Sequence, residues 1–412
     1  MKSVSKSHAS VRELAYIEAA STELTRDINR DVILERIRSA QPISRVDLAR
    51  ETGLQPSTVS SIVEQLLEER WIREGAVIKT ARGRRPTMLS LNDDLVILVA
   101  DVRPTQAVTA IVDLNGRFLS RTVVPLPPEP ERAFVAIADA MDRLRSQHPE
   151  KTFEGVGLSI PGRVDPDTNR LALIPNLPWE GLDVAAAIGR RLGLRVELEN
   201  DANACLLSEL WFGHVDRVRN VVLLAISEGV GAAVLAEGRL VTGRDGLAGE
   251  FGHICVDPSG PRCGCGKNGC WEMFASSRAA LRYYRGGKAG AGKIIMAELI
   301  ALASGGDKDA KAALRKQSEA IGRGLHMVNA ALSPEAIFFA GDITMHWELA
   351  RPVIERFCQQ GLLTKSAPAL ISIGDGELAL LRGAAAVVLQ RHTGYYKAST
   401  HTKRPRKSAK TA

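Results

Sequence analysis

Between residues 27 and 69, apolar positions recur with the period of a helix. In DINRDVILERIRS, residues 27–39, Ile28, Val32, Ile33 and Ile37 share a helical spacing, and Pro42 then marks a break. ISRVDLARETG follows, with Ser44 as N-cap, Asp47 three residues on, and Gly53 ending a short helix. In LQPSTVSSIVEQLLEE, Pro56 suits a first helical position, and Val59, Ile62, Val63 and Leu66 form one apolar stripe. Three helices, the last two joined by a short turn with glycine, are the helix-turn-helix pattern. The opposite face of the third helix offers Ser57, Thr58, Ser61 and Gln65, small or polar groups able to reach base edges and phosphates. WIREGAVIKTARGRRPTMLSLN then reads as two strands around a basic turn, a wing. Arg82, Arg84 and Arg85 on that turn can reach phosphates or a minor groove. A winged helix-turn-helix over residues 26–91 predicts a double-stranded DNA operator as partner, with the third helix in the major groove and arginines on phosphates.

From Leu95 the pattern changes to that of strands. LVILVADV, AVTAIVDLNG and RFLSRTVVPL predict three in succession, with Asn115-Gly116 as a hairpin turn. A helix over about 130–147 and the strand EGVGLSIPG follow. NVVLLAISEGVGAAVLAEGRLV then repeats the strand–turn–strand–turn plan, so the body reads as an internally duplicated α/β protein. Helices at about 312–332, 345–360 and 378–392, with the strand AIFFAG between the first two, complete the second half. A cleft between the halves is the natural ligand site.

Charge sharpens this division. Residues 1–91 carry 15 Lys and Arg against 12 Asp and Glu, residues 92–394 carry 33 against 35, and residues 395–412 carry 6 against none. The body is near neutral and both ends are basic, as suits a polyanion partner. Residues 395–412 read as a disordered basic tail and residues 1–25 as a flexible N-terminus. Apolar residues make up 45% of the 412, enough for a core. No apolar run is long enough to span a membrane and no secretory signal is evident, so a cytoplasmic location is expected.

Three of the six cysteines, Cys263, Cys265 and Cys270, fall within eight positions in CGCGKNGCWE. Clustered thiols in a reducing compartment hold metal more often than they form disulfides, and zinc takes four ligands. His253 and Cys255 are the upstream candidates for the fourth, in a stretch that reads as strand. His253 has the longer reach, and Cys255, between Ile254 and Val256, reads as a core residue. A structural Zn2+ on His253, Cys263, Cys265 and Cys270 would fix the loop carrying Glu272 against Glu250 and His253.

Other polar residues stand at predicted element ends. Gly162 and Arg163 end a strand, Asn176 lies in a proline-bounded loop, Asn200 and Asp201 mark a strand-to-helix junction, and Glu250 precedes His253. Carboxylates, amides and glycine-lined backbone suit a ligand bearing many hydroxyls. Each has a plainer reading, and Asp201 in particular could cap the helix starting at Ala202.

ISEGVGAAVLAEGRLVTGRDGLAGEFGH, followed by the Cys-Gly-Cys-Gly-x-x-Gly-Cys-x-Glu run, resembles the ROK family of repressors, open reading frames and sugar kinases. PNLPW and ENDANA fit in order, and the resemblance spans about residues 92–392. It implies a two-lobed actin-like ATPase (sugar kinase-like) fold over residues 92–394 behind the winged helix, as in the family's xylose and N-acetylglucosamine repressors. It also implies zinc on the four residues named, and a sugar site of Gly162, Arg163, Asn176, Asn200, Asp201, Glu250, His253 and Glu272. In the family's kinases the residue matching Asp201 is the base that takes a proton from the sugar. Those kinases carry Asp-x-Gly-x-Thr where this chain has Asp101, Val102, Arg103, Pro104 and Thr105. Pro104 has no N–H for a phosphate, and Glu228 stands where the kinases usually carry Thr. A carboxylate ~4 Å from a phosphate charge costs about 4 kcal/mol at an effective dielectric of ~20. The expectation is a sugar-responsive repressor acting as a homodimer or higher homo-oligomer, with Asp201 a vestigial base and no catalysis. The alternatives are an ATP-dependent sugar kinase carrying a DNA-binding domain, and a co-regulator whose effector is a protein.

Overall fold

A computed structural model describes residues 22–77, 86–166, 168–174, 177–179, 181–213, 218–286, 294–362 and 366–390. The chain forms two compact units, one up to Asn92 and one from Asp93 to Leu389.

The first unit runs α1 (Thr22–Ala40), β1 (Ile43–Ser44), α2 (Arg45–Thr52), α3 (Pro56–Glu68), β2 (Ile72–Val77) and β3 (Thr87–Leu91). Ser44 caps α2, its Oγ accepting from the Asp47 N–H, and Gly53 ends the helix in the left-handed conformation. Val59, Ile62, Val63 and Leu66 are buried, as their spacing predicts. The α1 stripe differs from the sequence reading. Ile33, Leu34 and Ile37 are buried, whereas Val32 is 44% exposed. Val32 lies about 150° around the helix from the centre of that face, at 100° per residue. β2 and β3 pair antiparallel, and β1 adds to the outer side of β3. The wing is therefore present; the arginines 82, 84 and 85 at its turn lie outside the described residues.

The second unit opens with β4 (Leu95–Val102), β5 (Gln106–Asp113), β6 (Phe118–Pro125), α4 (Pro130–Ser146), β7 (Thr152–Ile160), β8 (Arg163–Asp165), β9 (Arg170–Leu173), α5 (Val184–Leu192), β10 (Val196–Asn200) and α6 (Asp201–Phe212). It continues with β11 (Val221–Ile226), β12 (Val230–Ala236), β13 (Arg239–Leu240), α7 (Glu272–Ala275), α8 (Ser277–Arg285), α9 (Met296–Ser304), α10 (Lys308–Leu332), β14 (Ala336–Ala340), α11 (Trp347–Gln359), β15 (Ala369–Ser372) and α12 (Gly376–Gln390). The sheets run β10-β7-β4-β5-β6 and β13-β12-β11-β14-β15. In each, the first strand in sequence is central, two antiparallel strands follow on one side, and two parallel strands lie on the other. The two topologies are identical, which bears out the internal duplication.

Helices cover the sheets, so the central strands are buried rather than alternating; all eight residues of β4 are buried, and all but Asp101 are apolar. Phe134, Ile137 and Met141 of α4 and Val184 and Ile188 of α5 pack on the first sheet, and α10 and α11 supply Ile321, Leu325 and Ile354 to the second. α6 and α12 each follow the last strand of one sheet. They touch backbone to backbone: a Cβ on Gly383 would lie 1.9 Å from the Ala204 carbonyl oxygen, and one on Gly157 of β7 would lie 1.9 Å from that of Ala384. Only glycine permits this approach. Among the described residues no helix is long and apolar enough to cross a membrane.

Candidate functional site

The residues 250–272 fold as a short 3-10 turn, a glycine-rich loop and the start of α7. His253 and Glu250 sit on that turn rather than on a strand. The His253 ring and the sulfurs of Cys263, Cys265 and Cys270 offer ligand atoms all within 4.8 Å of one another. Cys265 Sγ and Cys270 Sγ are 3.5 Å apart, as are Cys263 Sγ and His253 Nδ1. Around tetrahedral zinc, thiolates at 2.3 Å would stand about 3.8 Å apart, so the four donors fit that ion in number, chemistry and spacing. The loop closes through Gly269, with φ of 65° and no room for a Cβ, which would fall 1.5 Å from the Asp257 carbonyl oxygen. Cys255 is exposed, as are Ile254 and Val256, which corrects the reading of it as a core residue. It bridges Cys270 through backbone only and stands outside the donor set.

The donor cluster shares residues with a polar one. His253 turns Nδ1 toward Cys263 and Nε2 toward Glu250, whose Oε2 is 3.7 Å away. Glu272 is buried, accepts from the Cys263 thiol at 2.9 Å, and has an oxygen 3.8 Å from His253 Nδ1. A Cβ on Gly229, in the β11–β12 turn, would come within 3.1 Å of Glu272 Oε2. The turn of the second sheet thus reaches the same place.

A second group gathers at the end of β10. Asn200, not Asp201, caps α6: its Oδ1 accepts from the N–H groups of Ala202 and Asn203, and its Nδ2 donates to the Gly162 carbonyl. Asp201 is the first helical residue. Burial pushes its carboxyl up to about 6, the Ala202 N–H opposes that, and the Asp101 carboxylate adds to it. Arg163 packs its stem near Gly246, and its Nε is sealed from solvent with no acceptor among the described residues. Asn176 lies outside the described residues. Nearby, Gly231 of β12 lies against Ala202, and Gly246 lies against Val164 and Arg163. Sequence reading missed Glu199, whose carboxyl accepts from Asn203 Nδ2 and the Asn200 N–H and is raised by burial.

The β4–β5 hairpin is occupied by its own side chains. Asp101 is 3% exposed, and Arg103 Nε donates to it at 2.8 Å. Burial raises the Asp101 carboxyl, and the Arg103 guanidinium partly offsets this. The Arg103 N–H bonds the Gln106 carbonyl at 2.8 Å, and Pro104 has none. Arg103 also reaches Glu377, a partner the sequence reading missed. In the β11–β12 turn Glu228 is exposed and its carbonyl accepts from Arg278 Nε at 2.5 Å, while Ser227 Oγ accepts from the Asp342 N–H at 3.2 Å.

On α3, Ser57 and Ser61 are exposed and Thr58 is half-buried. Gln65 is held by both ends of its amide, donating to Glu69 at 2.7 Å and accepting from Arg26 at 3.0 Å.

Comparison with known proteins agrees with both units. The ROK family model matches residues 99–391, and a winged helix-turn-helix DNA-binding model matches residues 26–73. The xylose repressor of Bacillus subtilis (strain 168) is 30% identical over 331 residues, covering 79% of this chain and 85% of that protein. The DNA-binding transcriptional dual regulator NagC of Escherichia coli (strain K12) is 26% identical over 349 residues, 82% and 86% of the two chains. A ROK family transcriptional regulator described as a homolog of the E. coli MLC protein superposes with a TM-score of 0.79 at 26% identity, covering 91% of this chain and 98% of that one. A ROK family glucokinase from Streptomyces griseus, solved with glucose and AMPPNP, matches at a TM-score of 0.64 and 29% identity over 72% and 99% of the two chains. The chain belongs to the ROK family, as a transcriptional regulator with a winged helix-turn-helix ahead of the family's domain.

Proposed function

We propose that the chain is a sugar-responsive repressor whose cleft binds a monosaccharide without phosphorylating it. The observation that carries this is the contrast between the two halves of the cleft. Asn200 and Asp201 are present at the start of α6, and Glu250, His253 and Glu272 gather beside the four-donor cluster, while Arg103 lies on Asp101 and spends its own N–H within the hairpin. A nucleotide phosphate would meet Glu228 and find no N–H at Pro104. Asp201, Asn200 and Glu250 would hold sugar hydroxyls, together with Gly162, Arg163 and Asn176 as the family resemblance has it.

Zinc on His253, Cys263, Cys265 and Cys270 would be structural, a closed set of four that cross-links the loop to the turn. His253 would serve both metal and sugar through its two ring nitrogens. Loss of the Cys263 proton would free Glu272 Oε1 of the hydrogen bond it now accepts. Ser57, Thr58, Ser61 and the wing arginines Arg82, Arg84 and Arg85 would contact the operator as a dimer or higher oligomer, in the cytoplasm. Gln65, already bonded at both ends, would contribute least. Sugar would preferentially stabilise one cleft closure, because a ligand with equal affinity for both states shifts nothing.

The test is operator affinity at fixed salt across a monosaccharide panel. Release of the operator by one sugar supports the reading; constant affinity across the panel refutes the inducer model. The rival kinase is favoured by the retention of Asp201 and by the glucokinase likeness. It predicts ADP formation that Asp201→Asn abolishes.

A further inference from the structure

One carboxylate of α12 receives two guanidinium groups from the first sheet. Arg103 Nη2 donates to Glu377 Oε2 at 3.2 Å, and Arg121 of β6 stands 3.5 Å from Glu377 Oε1. Glu377 lies in the first turn of α12. Just behind it, Ala379 and Leu380 pack with Leu223, Phe338 and Ala340 of the second sheet. Further along the same helix, Ala384 lies on Gly157 of the first sheet, and Gly383 crosses α6. α12 therefore contacts both halves, with Ala379 and Leu380 among second-sheet residues and Arg382 donating to the Gly116 carbonyl between β5 and β6 at 2.9 Å.

We propose that Arg103 and Glu377 are positioning residues, forming a tie that sets the resting closure of the cleft where the family's kinases hold nucleotide phosphates. The proposal rests on the sensor reading for its purpose but not for its geometry. Asp101 is buried and needs a cation. Arg103 supplies it through Nε, which leaves Nη2 of the planar guanidinium for another carboxylate. Lysine, a point charge, lacks that fixed fork. Glu377 lies six residues, about 9 Å of helix, ahead of the crossing at Gly383. A rotation of ~10° about that crossing would displace it by about 1.6 Å, enough to break a 3.2 Å bond. Arg103 and Glu377 side chains are each 38% exposed, so the tie biases closure only a few-fold. A bias of that size is one an effector with ordinary differential affinity can override.

The experiment is amide hydrogen exchange on the full-length protein without effector, comparing wild type with Arg103→Gln, Arg103→Lys, Glu377→Gln and the double Gln variant. Exchange is read in residues 102–108 and 378–384, one segment on each side of the tie. Each single Gln variant should speed both segments two- to fivefold, the double variant no more than the larger single, and Arg103→Lys should restore little. Added 1 M salt should speed wild type but not Glu377→Gln. Changes confined to the substituted side, or additive effects, would overturn the tie. Sugar-induced thermal shift on wild type is read separately. A protein that binds no sugar yet shows coupled exchange keeps the tie and loses the sensor, and the converse pattern does the reverse.

Discussion

Replacing Asp201 with asparagine should make the empty protein more stable while removing its response to sugar. Burial holds the Asp201 carboxyl at about 6, against an ordinary value of 3.8. The folded state therefore prefers the protonated form, and charging that group opposes folding. The cost is absent below about pH 4, develops between about 4 and 6, and is complete at neutral pH. The difference of roughly two units corresponds to about 3 kcal/mol. Asp201 keeps partial solvent access, so about 1–2 kcal/mol is the better expectation. Asparagine keeps an oxygen for the Ala202 N–H that now bonds Asp201 at 2.8 Å and carries no charge beside Asp101. Denaturant melts of wild type and Asp201→Asn at pH 4, 5, 6, 7 and 8 read the effect directly. The gain should be near zero at pH 4 and level off above pH 6.5. A pH-independent gain, or a loss at pH 7.5, would refute the reasoning. A residue whose removal stabilises the fold is retained for something other than folding, and here that would be ligand hydroxyls.

Three further outcomes follow from the geometry. Cys265→Ser should lose bound zinc, measured by elemental analysis of the purified protein, and lower the melting temperature; full metal content would remove Cys265 from the set. Ser44→Ala should cost about 1 kcal/mol by loss of the Asp47 N–H acceptor, read as a lower denaturant midpoint of the winged-helix unit. Gly383→Val should destabilise the second unit by 3 kcal/mol or more, because a Cβ there meets the Ala204 backbone at 1.9 Å; differential scanning calorimetry showing an unshifted transition would contradict that crossing.

The parts of the structure legible in the sequence were those fixed by near neighbours. Ser44, Gly53 and Pro56 announce helix ends because capping is settled within four residues. The duplication was visible because both hairpins repeat one apolar plan. The four metal donors were legible because three lie within eight residues. Misreadings came where a short pattern allowed two periods. Val32 and Ile33 both fit a stripe, and only tertiary packing selects Ile33. GEFGHIC alternates like a strand, yet Glu250–His253 within it form a 3-10 turn that leaves Ile254 and Cys255 exposed. Asn200 took the cap that Asp201 could have made, because the helix begins one residue earlier, at Asp201. Glu377 was out of reach altogether: it meets Arg103 across 274 positions of sequence, and no local signal marks it.

The most direct measurement is nucleotide turnover by the full-length, zinc-loaded protein in the presence of whichever monosaccharide raises its melting temperature most. A sensor with its phosphate hairpin filled by Arg103 shows the sugar-induced shift and no ADP above the sugar-free background. Sustained ADP release at rates typical of kinases, about 1–100 per second, would contradict it.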